Sequence, residues 1–99
     1  ATCRTPAEVL HQADLIFTCT PSTSPLLLAD DLRGRPSGFG LHVCALGADT
    51  EGKQELEAPL VGSAQLLVAD SKSQCFAFGE LSHAARAKLT SPEDARVVE

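Results

Sequence analysis

The sequence has no tryptophan, tyrosine or methionine, and only four phenylalanines among its 99 residues. Large side chains supply most of the apolar area that a domain buries, so this chain has little material for a self-sufficient core. It has no apolar run of roughly 18 residues, the length that a membrane span requires. No basic stretch leads into an apolar block at the N-terminus, so we predict neither a span nor a signal peptide.

Positive charge is also scarce. Eight Lys plus Arg stand against 13 Asp plus Glu, which gives a net charge of −5. An acidic chain repels phosphate backbones unless its basic residues are clustered, and here they are scattered among the acids. Nucleic acids are therefore not expected as partners.

The cysteines lack the spacing of a metal site. They lie at positions 3, 19, 44 and 75, and no two of them are separated by the two to four residues of a zinc knuckle. Two of them fall inside apolar runs. We expect buried free thiols in a reducing compartment, which implies a cytoplasmic protein without a metal.

Short apolar runs alternate with segments of helical pattern. Strands covered on both faces are predicted at 15–20, 41–46 and 66–70, and helices at 6–12, 55–61, 75–78 and 80–89. Further helical turns are predicted at 26–32 and 91–94, and a glycine-rich loop at 33–40. The alternation predicts an α/β fold, a partial Rossmann-like parallel sheet of about three strands with flanking helices. These helices are too few to cover both faces, which favours a piece of a larger domain over an oligomer.

Ligands of an open parallel sheet bind beyond the carboxyl ends of its strands. Residues 18–22, 46–53 and 70–71 are expected at that edge. Asp49 follows a strand through two small residues, so it is either a proton-transferring or amine-binding carboxylate or a turn acid that bonds its own backbone. Lys53 is a partner for Asp49 or a cofactor, or a solvated loop residue. Thr20 lies at a strand tip within reach of a nucleotide, although threonine is common in strands.

Several catalytic motifs do not occur. The chain has no Gly-x-Gly-x-x-Gly, no phosphate loop and no nucleophile elbow. Glu80 and His83 are spaced to pair on a helix, but they are too few to form a metal site. From the residues alone, the function stays open.

Two stretches resemble the ornithine cyclodeaminase/μ-crystallin family. Residues 13–27 read ADLIFTCTPSTSPLL, and residues 42–56 read HVCALGADTEGKQEL. The second is similar to the family's H-(apolar)-N-A-(apolar)-G-(G/A)-D-x-x-G-K-x-E-L, which is long and specific. Residues 64–71, 74–75 and 79–84 match further family segments in order, so the resemblance covers nearly the whole chain.

The resemblance implies an NAD- or NADP-dependent enzyme that acts on the amine-bearing carbon of an amino acid. Family members include cyclodeaminases that turn ornithine into proline and ammonia, alanine dehydrogenases and ketimine reductases. It implies that Asp49 transfers a proton in catalysis. The μ-crystallin branch lacks this acid, so its presence favours the branches that process amino acids. The resemblance also implies that the cofactor contacts lie at Thr20, Leu46, Gly47, Ala48 and Lys53.

The chain departs from the family pattern in two ways. Cys44 replaces the usual asparagine, and the loop at 33–41 is longer. We expect residues 1–99 to be the distal half of an NAD(P)-binding domain, without the glycine-rich half and the substrate and dimerisation domain. Such a segment alone should bind NAD weakly and have no turnover. A homo-oligomer is expected. The alternative is a non-catalytic remnant that acts as an oligomerising interaction module, and oligomeric state separates the two hypotheses, because the remnant should self-associate through its exposed sheet edges.

Overall fold

The computed structural model describes residues 2–36 and 40–99. The middle of the glycine-rich loop predicted at 33–40 therefore lies outside the described residues.

The first helix forms as its sequence predicts. Helix α1 spans Pro6–Gln12, and its N-cap Thr5 accepts a hydrogen bond from the backbone N–H of Glu8 at 3.2 Å. Glu8 reaches back to the backbone N–H of Arg4 at 2.8 Å, so two N–H groups at the helix start are satisfied. Leu10 is buried against the core.

The strands are parallel, which confirms the α/β class, but they form two small sheets instead of one. Strand β1, Leu15–Thr18, pairs with β2, His42–Ala45, in the register Leu15↔His42 to Thr18↔Ala45. Strand β3, Leu67–Val68, pairs with β4, Val97–Val98. The prediction of a single sheet of three strands was wrong because β3 takes a partner near the end of the chain.

Residues 91–94 form a turn, not the predicted helix start. Asp94 accepts hydrogen bonds from the hydroxyl of Thr90 and from the backbone and guanidinium N–H groups of Arg96. The guanidinium also donates to the carbonyl oxygens of Gly62 and Ala64 at 2.7 and 2.9 Å. These bonds close a turn that directs Val97 into β4.

Three of the four strands, β1, β3 and β4, are covered on one face only, contrary to prediction. Ile16 and Thr18 of β1 are buried, whereas Leu15 and Phe17 are 56% and 61% exposed. The core residues come from helices and strands along most of the chain and from the segments between them: Leu10, Ile16, Leu27, Leu56, Leu60, Val61, Leu67, Ala69, Leu81, Ala84 and Val97. The cysteines are free thiols, as predicted, but Cys19 is exposed and the other three are only half-buried.

Helices α2 and α4 are shorter than predicted, whereas α3 begins three residues earlier than predicted. Helix α2 spans Ala58–Gly62 and begins next to Pro59, which fits a first helical turn, so the proline starts this helix. A 3-10 helix spans Ala29–Gly34. Helix α3, Lys72–Ala77, has Ser71 as its N-cap, and α4 is Glu80–Arg86. No helix among the described residues is long and apolar enough to cross a membrane.

Candidate functional site

An open pocket of about 270 Å³ lies at the carboxyl ends of β1 and β2. The two strands are parallel, so the loops that follow them meet at one edge of the sheet. Cys19, Thr20 and Pro21 line it from the β1 side, and Leu46, Gly47, Asp49 and Lys53 from the β2 side. Five of the six predicted site residues thus line one pocket, and Ala48 adjoins them in the chain without lining it.

The third predicted segment lies elsewhere. Asp70 accepts a hydrogen bond from the backbone N–H of Ser71 at 2.9 Å and contacts Cys75, at the start of α3. Residues 70–71 follow β3, which pairs with β4 in a separate sheet, and they do not line the pocket. The prediction that all three segments share an edge was wrong for this one.

Asp49 and Lys53 form an ion pair at the mouth of the pocket. Lys53 Nζ lies 2.9 Å from Asp49 Oδ1, and the side chains are 29% and 64% exposed, respectively. The hydrogen bond and the charge of Lys53 lower the pKa of Asp49, and the backbone N–H of Asp49 contributes less. The carboxylate of Asp49 therefore bonds mainly to Lys53, while most of the Asp49 side chain stays exposed to a ligand.

A tight turn at residues 50–53 brings the lysine back to the acid. The backbone N–H of Lys53 donates to the carbonyl of Thr50 at 3.3 Å. Gly52 has a φ of +87°, a left-handed conformation that glycine adopts without strain. The turn thus places both charges on the same side of the pocket.

Glu55 lies beneath the pocket and joins the two loops. Its side chain is fully buried, with 0% exposure. Oε1 accepts hydrogen bonds from the hydroxyl of Thr18 at 2.7 Å and the backbone N–H of Gly47 at 2.8 Å, and Oε2 accepts from the backbone N–H of Thr20 at 2.6 Å. Burial raises the pKa of Glu55, but these hydrogen bonds together outweigh it and hold the pKa below its ordinary value.

A second acid holds Glu55 in turn. Glu80, at the start of α4, accepts hydrogen bonds from the backbone N–H groups of Glu55 at 2.9 Å and Leu56 at 3.0 Å. Burial raises the pKa of Glu80. His83 Nε2 lies 2.8 Å from the carbonyl oxygen of Lys53, so Glu80 and His83 do not pair but hold the same segment, 53–56.

Glu55 was not predicted as a site residue, and Glu80 was predicted to pair with His83 but binds backbone N–H groups instead. Both were visible only as letters of the matched motifs, in GKQEL and GEL. A glutamate in a segment predicted to be helical gives no sign that its carboxylate is buried.

No group of three or more metal-ligating side chains occurs within residues 2–36 and 40–99.

Gly47 lets the two loops approach closely. A Cβ at this position would overlap the carbonyl oxygen of Thr20 and lie 2.5 Å from Cδ of Glu55. A larger residue would therefore push the β1 loop and the β2 loop apart. The floor of the pocket is therefore the backbone of Gly47, and the buried carboxylate of Glu55 lies beneath it.

A family model described as the ornithine cyclodeaminase/mu-crystallin family matches residues 1–96. An uncharacterized cyclodeaminase of Sinorhizobium fredii is 37% identical over 90 residues, which cover 91% of this chain and 26% of that protein. The iminosuccinate reductase of Paracoccus denitrificans is 41% identical over 78 residues, or 79% of this chain and 22% of the reductase. The alanine dehydrogenase of Archaeoglobus fulgidus is 34% identical over 89 residues, with coverages of 90% and 26%.

Two solved structures share the fold. The iminosuccinate reductase of Paracoccus denitrificans in complex with NAD+ superposes with a TM-score of 0.77 at 34% identity, over 90% of this chain and 26% of the reductase. An archaeal alanine dehydrogenase dimer with bound NAD gives a TM-score of 0.77 at 29% identity, over 98% and 28%. The chain thus spans about a quarter of the length of these relatives.

Proposed function

Because the chain belongs to the ornithine cyclodeaminase/mu-crystallin family, we propose that it is the distal half of an NAD(P)-binding domain. The whole protein is an enzyme that transfers hydride at the amine-bearing carbon of an amino acid. This chemistry is shared by the cyclodeaminases, dehydrogenases and reductases named among the relatives. The choice between them depends on a substrate-binding half outside this segment.

The convergence of Thr20, Leu46, Gly47, Asp49 and Lys53 on one pocket carries the proposal. The pocket suits a planar ring on a sugar because it is open, has a glycine backbone for its floor, and includes the exposed side chain of Leu46. Thr20 and Lys53 offer a hydroxyl and an ammonium group for ribose or phosphate oxygens. When bound, NAD(P) supplies the hydride acceptor or donor.

Asp49 is the proton-transferring residue of the proposed reaction. A carbon releases hydride readily only when the nitrogen on it is not an ammonium ion, so a base must take one proton from the substrate amine. Asp49 is the exposed carboxylate of the pocket, and its pKa is lowered by Lys53, so it is ionised at neutral pH. In the reverse direction the same carboxyl group returns the proton.

The runner-up is a non-catalytic module that oligomerises through its sheets. One observation favours it: Leu15 and Phe17 on β1, and Val68 on β3, expose apolar surface. Exposed apolar faces of this kind drive self-association unless other parts of a protein cover them.

Expression of the complete gene product that carries this segment tests the first proposal. We expect it to bind NAD or NADP and to oxidise an amino acid such as ornithine, alanine or aspartate, or to reduce the matching imine. Asp49→Asn should lower kcat by a factor on the order of 10² to 10⁴, the range of general acid–base catalysis, while the affinity for cofactor changes little.

Asp30→Asn is the matched control, since Asp30 also pairs with a basic residue, Arg33 at 3.0 Å, but on the 3-10 helix. It should leave kcat unchanged. A gene product that binds no cofactor and oligomerises would favour the interaction module. A fully active Asp49→Asn variant would overturn the role of Asp49.

A further inference from the structure

The hydrogen-bond donors around the Glu55 carboxyl group favour its ionised form. Each of its oxygens accepts from a backbone N–H, of Gly47 or of Thr20, and a backbone N–H can only donate. The hydroxyl of Thr18 adds a third donor at 2.7 Å. Oε1 thus accepts two hydrogen bonds and Oε2 accepts one, an arrangement that favours the ionised carboxylate over the neutral acid.

The partners of Glu55 belong to the two loops that form the pocket. Thr18 is the last residue of β1, Thr20 follows it, and Gly47 follows β2. The carboxylate therefore bridges the strand ends that must stay together for the pocket to exist. Gly47 leaves room for this bridge, because a Cβ there would meet the Glu55 carboxylate.

The charge of Glu55 is not cancelled at the pocket floor. Asp49 and Lys53 neutralise each other at the mouth. Glu80 and His83 face the same segment from α4, where Glu80 accepts from the backbone N–H of Glu55 and His83 contacts the backbone of Lys53. Among these groups the fixed charge directly under Gly47 is negative.

We propose that Glu55 is a positioning residue of the cofactor pocket. Its buried carboxylate clamps the loops after β1 and β2 and puts a negative charge under the floor, which favours a cationic aromatic ring over a neutral one. In naming that ring as the pyridinium of NAD+ and the neutral one as the dihydropyridine of NADH, the proposal rests on the proposed function. Glu55 itself touches neither the substrate nor the cofactor.

Dissociation constants for NAD+ and NADH, measured by titration calorimetry on the complete gene product, test the charge. Glu55→Gln should weaken NAD+ binding by about tenfold and NADH binding by about threefold or less, because only the oxidised ring loses an attraction. Thr18→Val removes one donor but keeps the charge, so it should weaken both cofactors equally. Glu57→Gln is the control, because that carboxylate contacts the backbone N–H of Ala29 instead of the pocket.

Hydrogen–deuterium exchange tests the clamp without any cofactor. In Glu55→Gln the amides of Thr20 and Gly47 face a side chain with only one acceptor oxygen. Exchange of segments 18–22 and 46–50 should therefore accelerate by about tenfold, with a smaller change in Thr18→Val and none in Glu57→Gln.

Hydrogen–deuterium exchange tests the clamp, and the cofactor dissociation constants test the charge preference, so each can fail separately. Unchanged exchange in Glu55→Gln overturns the clamp, and equal weakening of NAD+ and NADH overturns the charge preference. A wild-type gene product that binds neither cofactor refutes the proposed function and the charge preference with it, while exchange still decides the clamp. If Glu55→Gln does not fold, unchanged exchange in Thr18→Val overturns the clamp, and unequal weakening of the two cofactors by that variant overturns the charge preference.

Discussion

At the scale of single residues, the proposed function gives Lys53 two alternative partners, Asp49 and the cofactor. It lies 2.9 Å from Asp49 in this structure, and it is the pocket cation suited to a ribose or phosphate oxygen. While it holds Asp49, it lowers the pKa of the acid and makes it a weaker base. A lysine drawn to the cofactor would release Asp49, so cofactor binding would raise the basicity of the catalytic carboxylate.

The variant Lys53→Met tests that coupling. Both leading causes of the lowered pKa of Asp49 come from Lys53, so its removal should raise that pKa toward the ordinary value of 3.8. Carboxyl ¹³C NMR titration of the chain measures the midpoint directly. The carboxyl chemical shift of Asp94 serves as an internal control and should be the same in both proteins, since its partners Arg96 and Thr90 are unchanged. An Asp49 midpoint equal in both proteins would contradict the assignment.

The pocket was predictable from sequence because its residues follow two parallel strands and carry recognisable motif letters. Thr20, Gly47 and Asp49 were placed in this way. Glu55 and Glu80 were not, because their roles come from burial and from backbone donors that are distant in sequence. A side chain that binds backbone N–H groups leaves no periodic or compositional signal.

At the scale of elements, the end of α4 shows where periodicity misleads. Leu89 continues the helical spacing of Leu81 and Ala85, so the helix was predicted to reach it. The chain instead turns at Lys88, whose φ is 61°. The N–H of Leu89 donates to the carbonyl of Ala84, and that of Lys88 to Ala85, which is the Schellman pattern of a helix end.

Lys88→Gly should stabilise the chain. The left-handed conformation is strained for lysine and free for glycine, so we expect the free energy of unfolding to rise by about 0.5–1 kcal/mol. Urea unfolding followed by circular dichroism measures it. Lys88→Ala is the control and should bring no gain, because alanine has the same strain. A loss of stability in Lys88→Gly would show that the lysine side chain matters more than the backbone.

Strand β4 was not predicted either, because its local sequence shows no strand pattern. It is only the pair Val97–Val98, too short to show alternation, and the turn before it depends on the contacts between Asp94 and Arg96. Longer segments such as α1 and β1 were predicted closely, because their caps and apolar runs are local. Pairing between distant short strands is set by packing, which the local pattern does not contain.

At the scale of the whole molecule, strands β1, β3 and β4 each have one covered and one exposed face. Leu15 and Phe17 of β1 and Val68 and Val98 of β3 and β4 are exposed, while Ile16, Leu67 and Val97 contribute to the core. A domain that ended its packing here would leave large apolar side chains in water, whereas α/β sheets are usually covered on both sides. The bare faces therefore agree with a segment that packs against further layers in a longer protein.

Phe17→Lys distinguishes a segment of a larger domain from a module that stands alone. Phe17 is 61% exposed in this chain, so the charge should change the stability of the isolated segment by less than about 0.5 kcal/mol and reduce its self-association. In the complete gene product a covered β1 face would bury the lysine, and the free energy of unfolding should fall by about 3 kcal/mol. Denaturant unfolding and sedimentation velocity give the two quantities, and Ile16→Lys, at a position 5% exposed, should destabilise both proteins. A gene product as tolerant of Phe17→Lys as the segment would mean that nothing covers this face, and the distal-half proposal would fall.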